Sequence, residues 1–179
     1  PLEYSMLTDH YHKDLLGIKK WGGLAGLINA FLLSKYGHHV LLIEKKSYPF
    51  HRVCGEYISN EVIPFLKSEN LFPEALGPSA ISKFELTSVS GRKLEMPLDL
   101  GGFGVSRYKF DHWLVGIARQ EGVEVLAGTV VEEVNFDNDR FTVQTRQQGA
   151  LEADLVIGAF GKKSILDNRL ERQFATKSY

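Results

Sequence analysis

Gly22, Gly23 and Gly26 stand just ahead of an apolar stretch that begins at Leu24. Glycine carries no Cβ, so the main chain at such a turn can come close to an anion. The N–H groups of a helix starting there then point at it. Downstream, the run Val40-Leu41-Leu42-Ile43 ends on Glu44, about twenty residues after the glycines, as a mononucleotide-binding unit requires. A carboxylate at that strand end accepts both hydroxyls of a ribose and repels a 2′-phosphate. The chemistry is dinucleotide binding, with FAD or NAD preferred over NADP. The competing reading is a structural turn with Glu44 solvated.

Other residue clusters carry weaker chemistry. Arg107 precedes an amphipathic run, with Asp111 four residues on. An arginine at a loop-to-helix junction can fork onto a phosphate or a flavin-side oxygen. It can equally be a surface arginine, with Asp111 as a carboxylate near a helix start. Cys54-Gly55-Glu56, with His51 nearby, suggests a nucleophile and its base, but no third orienting group completes it. Cys54 reads more simply as a small packing residue, and Glu56 is open between a general acid and a solvated carboxylate. Asp9, His10 and His12 could be drawn as metal ligands, but nothing nearby completes a site and an incidental tail is the simpler reading; the six histidines show no metal-binding spacing, so no metal site is expected.

These residues need a frame. Leu15–Ile18 is the candidate first strand, Leu24–Tyr36 an apolar helix closed by Gly37, and Val40–Ile43 a strand buried on both faces. Strand, helix and strand at this spacing make a parallel βαβ unit. Residues 45–60 read as a long functional loop, and Glu61–Ser68 as a short helix interrupted near Pro64. From Ile81 to Pro97 the alternation around Ser90-Gly91 is a hairpin, an antiparallel insertion in the parallel frame. Phe110–Glu121 is a helix with Trp113, Leu114, Ile117 and Ala118 toward the core. Strands follow at 123–126, 130–136 and 141–145, and a last one at 155–159. Residues 1–14 and 166–179 read as tails. The expected fold class is α/β: a Rossmann-like FAD/NAD(P)-binding βαβ domain over 15–165, with an inserted antiparallel β segment around 81–105, and truncated.

Composition narrows the classes. The net charge is −1, so no basic field is present to attract nucleic acid or an anionic membrane. Hydrophobic residues make up 44% and charged residues 24% of the chain, as in ordinary globular domains. No apolar run approaches the roughly 20 residues of a spanning helix, and no secretory leader is legible. The single cysteine excludes an internal disulfide framework, and a reducing cytoplasm is the expected location.

Taken in order, Gly22–Gly26, Leu42–Lys45, Arg52–Glu56, Val105–Leu114 and Asp154–Ser164 resemble one flavoprotein superfamily. It comprises the geranylgeranyl reductases and the para-hydroxybenzoate hydroxylase-like enzymes. The Cys-Gly-Glu loop leans toward the reductase branch, which neighbours the flavin-dependent halogenases. The resemblance implies an FAD domain with an inserted β-sheet substrate domain. It places Gly22, Gly23 and Gly26 on the FAD pyrophosphate and Glu44 on the adenosine ribose, with Lys45 beside it. It sets Arg52 along the cofactor, Arg107 near the pyrophosphate or ribityl chain, and Val131 against adenine. Gly161 marks the second family motif.

The resemblance also exposes departures. Trp21 stands where the fingerprint's first glycine belongs, Lys19 and Lys20 where a buried strand should run, and Phe160 where the second motif has an aspartate. The expected function is the N-terminal FAD-binding portion of a flavin-dependent oxidoreductase. It would reduce an isoprenoid-type double bond or act as a monooxygenase on a small, hydrophobic substrate, with NADH or NADPH as electron donor. Such a portion is expected to be incomplete as an enzyme alone. Two other classes compete: a catalytically silent nucleotide-binding module, and a truncated remnant without function.

Overall fold

The computed structural model describes residues 14–16, 23–54 and 56–159. Gly22, Gly161, Trp21, Lys19, Lys20, Phe160, Gly55 and the Asp9–His12 cluster lie outside the described residues. In chain order the first elements are β1 (Asp14–Leu16), α1 (Leu24–Lys35), β2 (Val40–Glu44), β3 (Tyr57–Ser59) and α2 (Ile63–Ser68). Then come β4 (Ser79–Thr87), β5 (Lys93–Gly104) and α3 (Arg107–Gln120). The last are β6 (Glu124–Ala127), β7 (Val131–Asp137), β8 (Arg140–Thr145), β9 (Gly149–Ala153) and β10 (Val156–Ile157). Two compact units result: residues to Ser47 together with those from Val115 onward, and Tyr48–Leu114. The division falls inside α3.

In the first unit β10, β1, β2 and β6 lie side by side in that order, all parallel. All five residues of β2 are buried, because both of its faces are covered. On one face Leu41 and Ile43 pack with Val131, Val143 and Ala153 of the antiparallel sheet β7-β8-β9. Side chains alternate along a strand, so Val40, Leu42 and Glu44 share the other face. There α1 packs on β2, burying Gly26, Leu27, Ala30 and Phe31 as one stripe. Full burial of a side chain such as Leu27 or Phe31 contributes about 1.5–3 kcal/mol.

Both longer helices end on a glycine in the left-handed region. After α1, Gly37 (φ 88°) donates to Ser34 O and His38 N–H donates to Leu33 O. After α3, Gly122 (φ 103°) donates to Arg119 O and Val123 N–H to Ala118 O. These are paired Schellman bonds, which satisfy helix-end carbonyls and turn the chain into the next strand. The Ser34 hydroxyl donates to Glu121 O at 2.8 Å and ties the two ends together.

In the second unit β5 lies between β3 and β4, all antiparallel. Register places Phe84 opposite Met96 and Leu86 opposite Leu94 on one face of the β4-β5 ribbon. On the other face Lys83 pairs with Glu95, and Lys93 with Glu85 and Glu95. Pro97 cannot donate to a ladder, and the register slips beside it, between Ile81 and Lys83.

Several boundaries depart from the sequence expectations. The 45–60 segment is not loop throughout, because Tyr57–Ser59 pairs with β5. Pro64 does not interrupt a helix; it sits in the first turn of α2, where a missing N–H costs nothing. The buried residues of α3 are Phe110, Asp111, Leu114, Val115 and Ala118, while Trp113 and Ile117 are half-buried. The core face is thus rotated from the one expected, and it takes in a carboxylate.

Candidate functional site

In the first unit the geometry centres on the start of α1 and the end of β2. Gly23 is the N-cap of α1, in extended conformation; among the described residues no side chain caps it, and the first turn holds no acidic residue. The positive end of a twelve-residue helix lies here, and such an end favours an anion. Gly26, one turn in, is buried and brings α1 close to the sheet.

Glu44 is 1% exposed on the α1 side of β2. Its Oε1 accepts the Lys46 N–H at 3.0 Å and its carbonyl accepts the Thr129 N–H at 3.1 Å. Lys45 is half-buried beside it. An uncapped helix start and a carboxylate at a strand end form a donor and acceptor set suited to an ADP moiety. Val131 is 0% exposed, its side chain taken up by the core with Leu41 and Ile43. Only its main chain remains for an adenine.

In the second unit one carboxylate gathers two arginines. Asp111 Oδ1 accepts Arg107 Nε at 2.7 Å, and its Oδ2 accepts Arg107 Nη2 and Arg52 Nε, each at 2.9 Å. Side-chain exposure is 3% for Asp111, 13% for Arg107 and 20% for Arg52. Burial alone would lower the Arg107 pKa, but the hydrogen bonds and charge of Asp111, helped by Cys54, outweigh it and raise it. The Arg52 guanidinium also lies over the Phe50 ring at 4.4 Å.

The residues around Cys54 make the following contacts. Cys54 is exposed, not packed. Its Sγ accepts the Glu56 N–H at 3.4 Å and faces Arg107 Nη1 at 3.7 Å. His51 stacks on the Tyr108 ring at 4.6 Å. Glu56 is half-buried, and its Oε1 accepts the Arg107 main-chain N–H at the start of α3, at 2.9 Å. The spacing of Arg107 and Asp111 was a legible i,i+4 pair. The partnership of Asp111 with Arg52, 59 positions away, left no local signal. Among the described residues no three potential metal ligands come together, and no helix is long and apolar enough to cross a membrane.

Comparison with known proteins identifies this frame. A family model described as an FAD binding domain matches residues 22–179. The flavin-dependent halogenase armH1 of Armillaria mellea is 27% identical over 164 residues, 83% of this chain and 31% of that protein. The probable electron transfer flavoprotein-quinone oxidoreductase YgcN of Escherichia coli (strain K12) is 28% identical over 151 residues, 82% of this chain and 36% of that protein. The crystal structure of CmlS, a flavin-dependent halogenase, superposes with a TM-score of 0.74 at 26% identity, over 90% of this chain and 32% of that one. The chain thus spans about a third of the length of these relatives. With the parallel βαβ frame, the uncapped glycine start of α1 and Glu44 at the end of β2, the match over residues 22–179 means that the chain belongs to the FAD binding domain family.

Proposed function

We propose that this chain holds FAD as the cofactor-binding portion of a flavin-dependent oxidoreductase. The observation that carries the reading is the pairing of an uncapped α1 N-terminus with the buried Glu44 carboxylate in one parallel sheet unit. Gly22, Gly23 and Gly26 are assigned to the diphosphate, Glu44 and Lys45 to the adenosine ribose, and the Val131 main chain to adenine. Arg52 and Arg107 are assigned to contacts further along the cofactor, and Gly161 to the second family motif. The support for the arginines is their chemistry, since a guanidinium donates in pairs to phosphate oxygens.

Bound FAD supplies two-electron redox chemistry, and the protein's part is to bind it, orient it and exclude competing reactions. A reduced nicotinamide as electron donor belongs to the same proposal. So does a small, hydrophobic substrate, converted by reduction of an isoprenoid-type double bond or by oxygenation. That finer part rests on the resemblance of the five segments to the superfamily, within which the Arg52–Glu56 loop leans toward the geranylgeranyl reductase branch. An exposed free thiol at Cys54 suits a reducing, cytoplasmic compartment.

The absorbance spectrum of the purified chain tests this reading. A yellow protein with FAD in one-to-one ratio supports it. A colourless protein that binds ADP would instead mark a silent nucleotide-binding module.

A further inference from the structure

The β4-β5 ribbon has two long sides, and the alternation of its main-chain bonds tells them apart. At the turn the Ser88 N–H donates to Arg92 O at 2.8 Å, so that pair is hydrogen-bonded. Such pairs alternate with non-hydrogen-bonded ones along an antiparallel ladder. Leu86 with Leu94 and Phe84 with Met96 are therefore hydrogen-bonded, while Glu85 with Glu95 and Lys83 with Pro97 are not. The main-chain groups of Lys83, Glu85 and Thr87 thus turn away from β5. β4 is the last strand of its sheet among the described residues, so these groups form an open edge.

The two open edges are guarded differently. On the far side β5 meets β3 only through Gly102–Gly104, which leaves Lys93–Pro97 without a neighbouring strand among the described residues. Pro97 has no N–H to offer on that side, which spoils it for another strand. The β4 edge holds no proline. Its guard is charge: Lys83 and Glu85 share one face and are 60% and 42% exposed.

A strand that pairs here must answer that charge pattern, and β4 itself does. Two copies joined antiparallel about a two-fold axis have few registers open to them. An axis between residues sets outward main-chain groups against inward ones. One at Lys83 or Glu85 sets like charges face to face. One at Ser82 falls on the register slip, and one at Leu86 leaves Lys83 against the turn. An axis at Phe84 puts Lys83 opposite the second copy's Glu85, and Glu85 opposite the second copy's Lys83. Both are then hydrogen-bonded pairs of opposite charge. Phe84, 45% exposed, meets its own copy in a non-hydrogen-bonded pair, where side chains come closest. Main-chain direction and charge select the same register.

We propose that the β4 edge is a docking surface for a second copy of this chain, joined antiparallel with Phe84 on the two-fold axis. The two ribbons become one continuous sheet there, and the contact is isologous and closed. It is independent of FAD.

Sedimentation equilibrium of the whole chain, over a wide concentration range and without FAD, tests this. A monomer–dimer equilibrium is expected. Lys83→Glu and Glu85→Lys each set like charges opposite one another in both pairs, and each should weaken dimerisation about tenfold. Mixed in equal amounts, the two variants should recover it, because the mixed dimer restores opposite charges at both pairs. Loss of structure alone cannot give that recovery, and thermal melts in parallel report folding. A chain monomeric at every concentration overturns the proposal and leaves the edge to a strand of another polypeptide. A dimer indifferent to both charge changes overturns it, and so does failure of the folded variants to recover on mixing. Should either charge variant fail to fold, Glu85→Pro replaces them, since it removes an outward N–H without touching the ladder to β5. An unchanged dimer then overturns the proposal.

Discussion

Glu56 and Arg107 meet across 51 positions of sequence: the Glu56 carboxylate accepts the Arg107 main-chain N–H at 2.9 Å. A side chain from a distant loop thus satisfies the first main-chain donor of α3, one of those a helix start leaves without an intrahelical partner. It does so from a left-handed backbone, since Glu56 has φ 56°. Glu56→Ala loses the cap and keeps the backbone strain, so stability should fall by about 1 kcal/mol. Glu56→Gly loses the cap but relieves the strain and should cost less than alanine. Urea denaturation of both variants checks the order, and alanine proving the milder change would contradict it.

On the proposed reading, Glu44 carries the discrimination among nucleotides. We expect Glu44→Gln to bind ADP about tenfold more weakly, because a charged acceptor for the ribose hydroxyls becomes a neutral one. The unaltered chain should prefer ADP over its 2′-phosphorylated form, and the variant should lose much of that preference. Calorimetric titration with both nucleotides measures this. An unchanged ratio would remove Glu44 from the ribose.

Gly102 must remain glycine because β3 crosses it closely. A Cβ there would lie 2.3 Å from Tyr57 Cε2 and 2.7 Å from the Ile58 carbonyl oxygen. The ring can swing away, but the carbonyl is backbone. Gly102→Ala should destabilise the second unit by about 1–3 kcal/mol. Adding Tyr57→Ala should recover little of it, and full recovery would show that the ring was the obstacle.

The ion-pair ladder of the β4-β5 ribbon gives a pH signature. Hydrogen bonds from Lys93 and then Lys83 lower the Glu95 pKa, and bonds to Glu85 and then Glu95 raise that of Lys93. Glu95's share of stability is therefore present above its ordinary value and fades as pH falls through the lowered one. Lys93's share is present below its ordinary value and fades as pH rises through the raised one. Both groups are exposed, so salt should screen the effect. An NMR titration of the Glu95 carboxyl should show it below ordinary glutamates, returning toward them in Lys93→Gln.

How much of this could be read from residues alone depends on the range of the forces involved. The course of α1 and β2 was legible, because helix periodicity, the stop at Gly37 and a continuous apolar run are local signals. The β4-β5 hairpin was legible for the same reason, with alternation broken by Ser90-Gly91. The strand at Gly149–Ala153 was not, since Gly-Ala-Leu-Glu-Ala has weak strand propensity and is held by its pairing with β8. The pairings of Arg52 with Asp111 and of Glu56 with Arg107 were also hidden. They depend on a loop folding back to α3, and nothing in the spacing of either residue records that.

The most direct test of the central claim is a flavin fluorescence titration of the unaltered chain, followed by competition with ADP. FAD should saturate at one per chain and ADP should displace it, because on the proposed reading the α1 start and Glu44 hold the ADP end. A chain that folds, yet neither quenches nor shifts FAD fluorescence at any concentration, would contradict it.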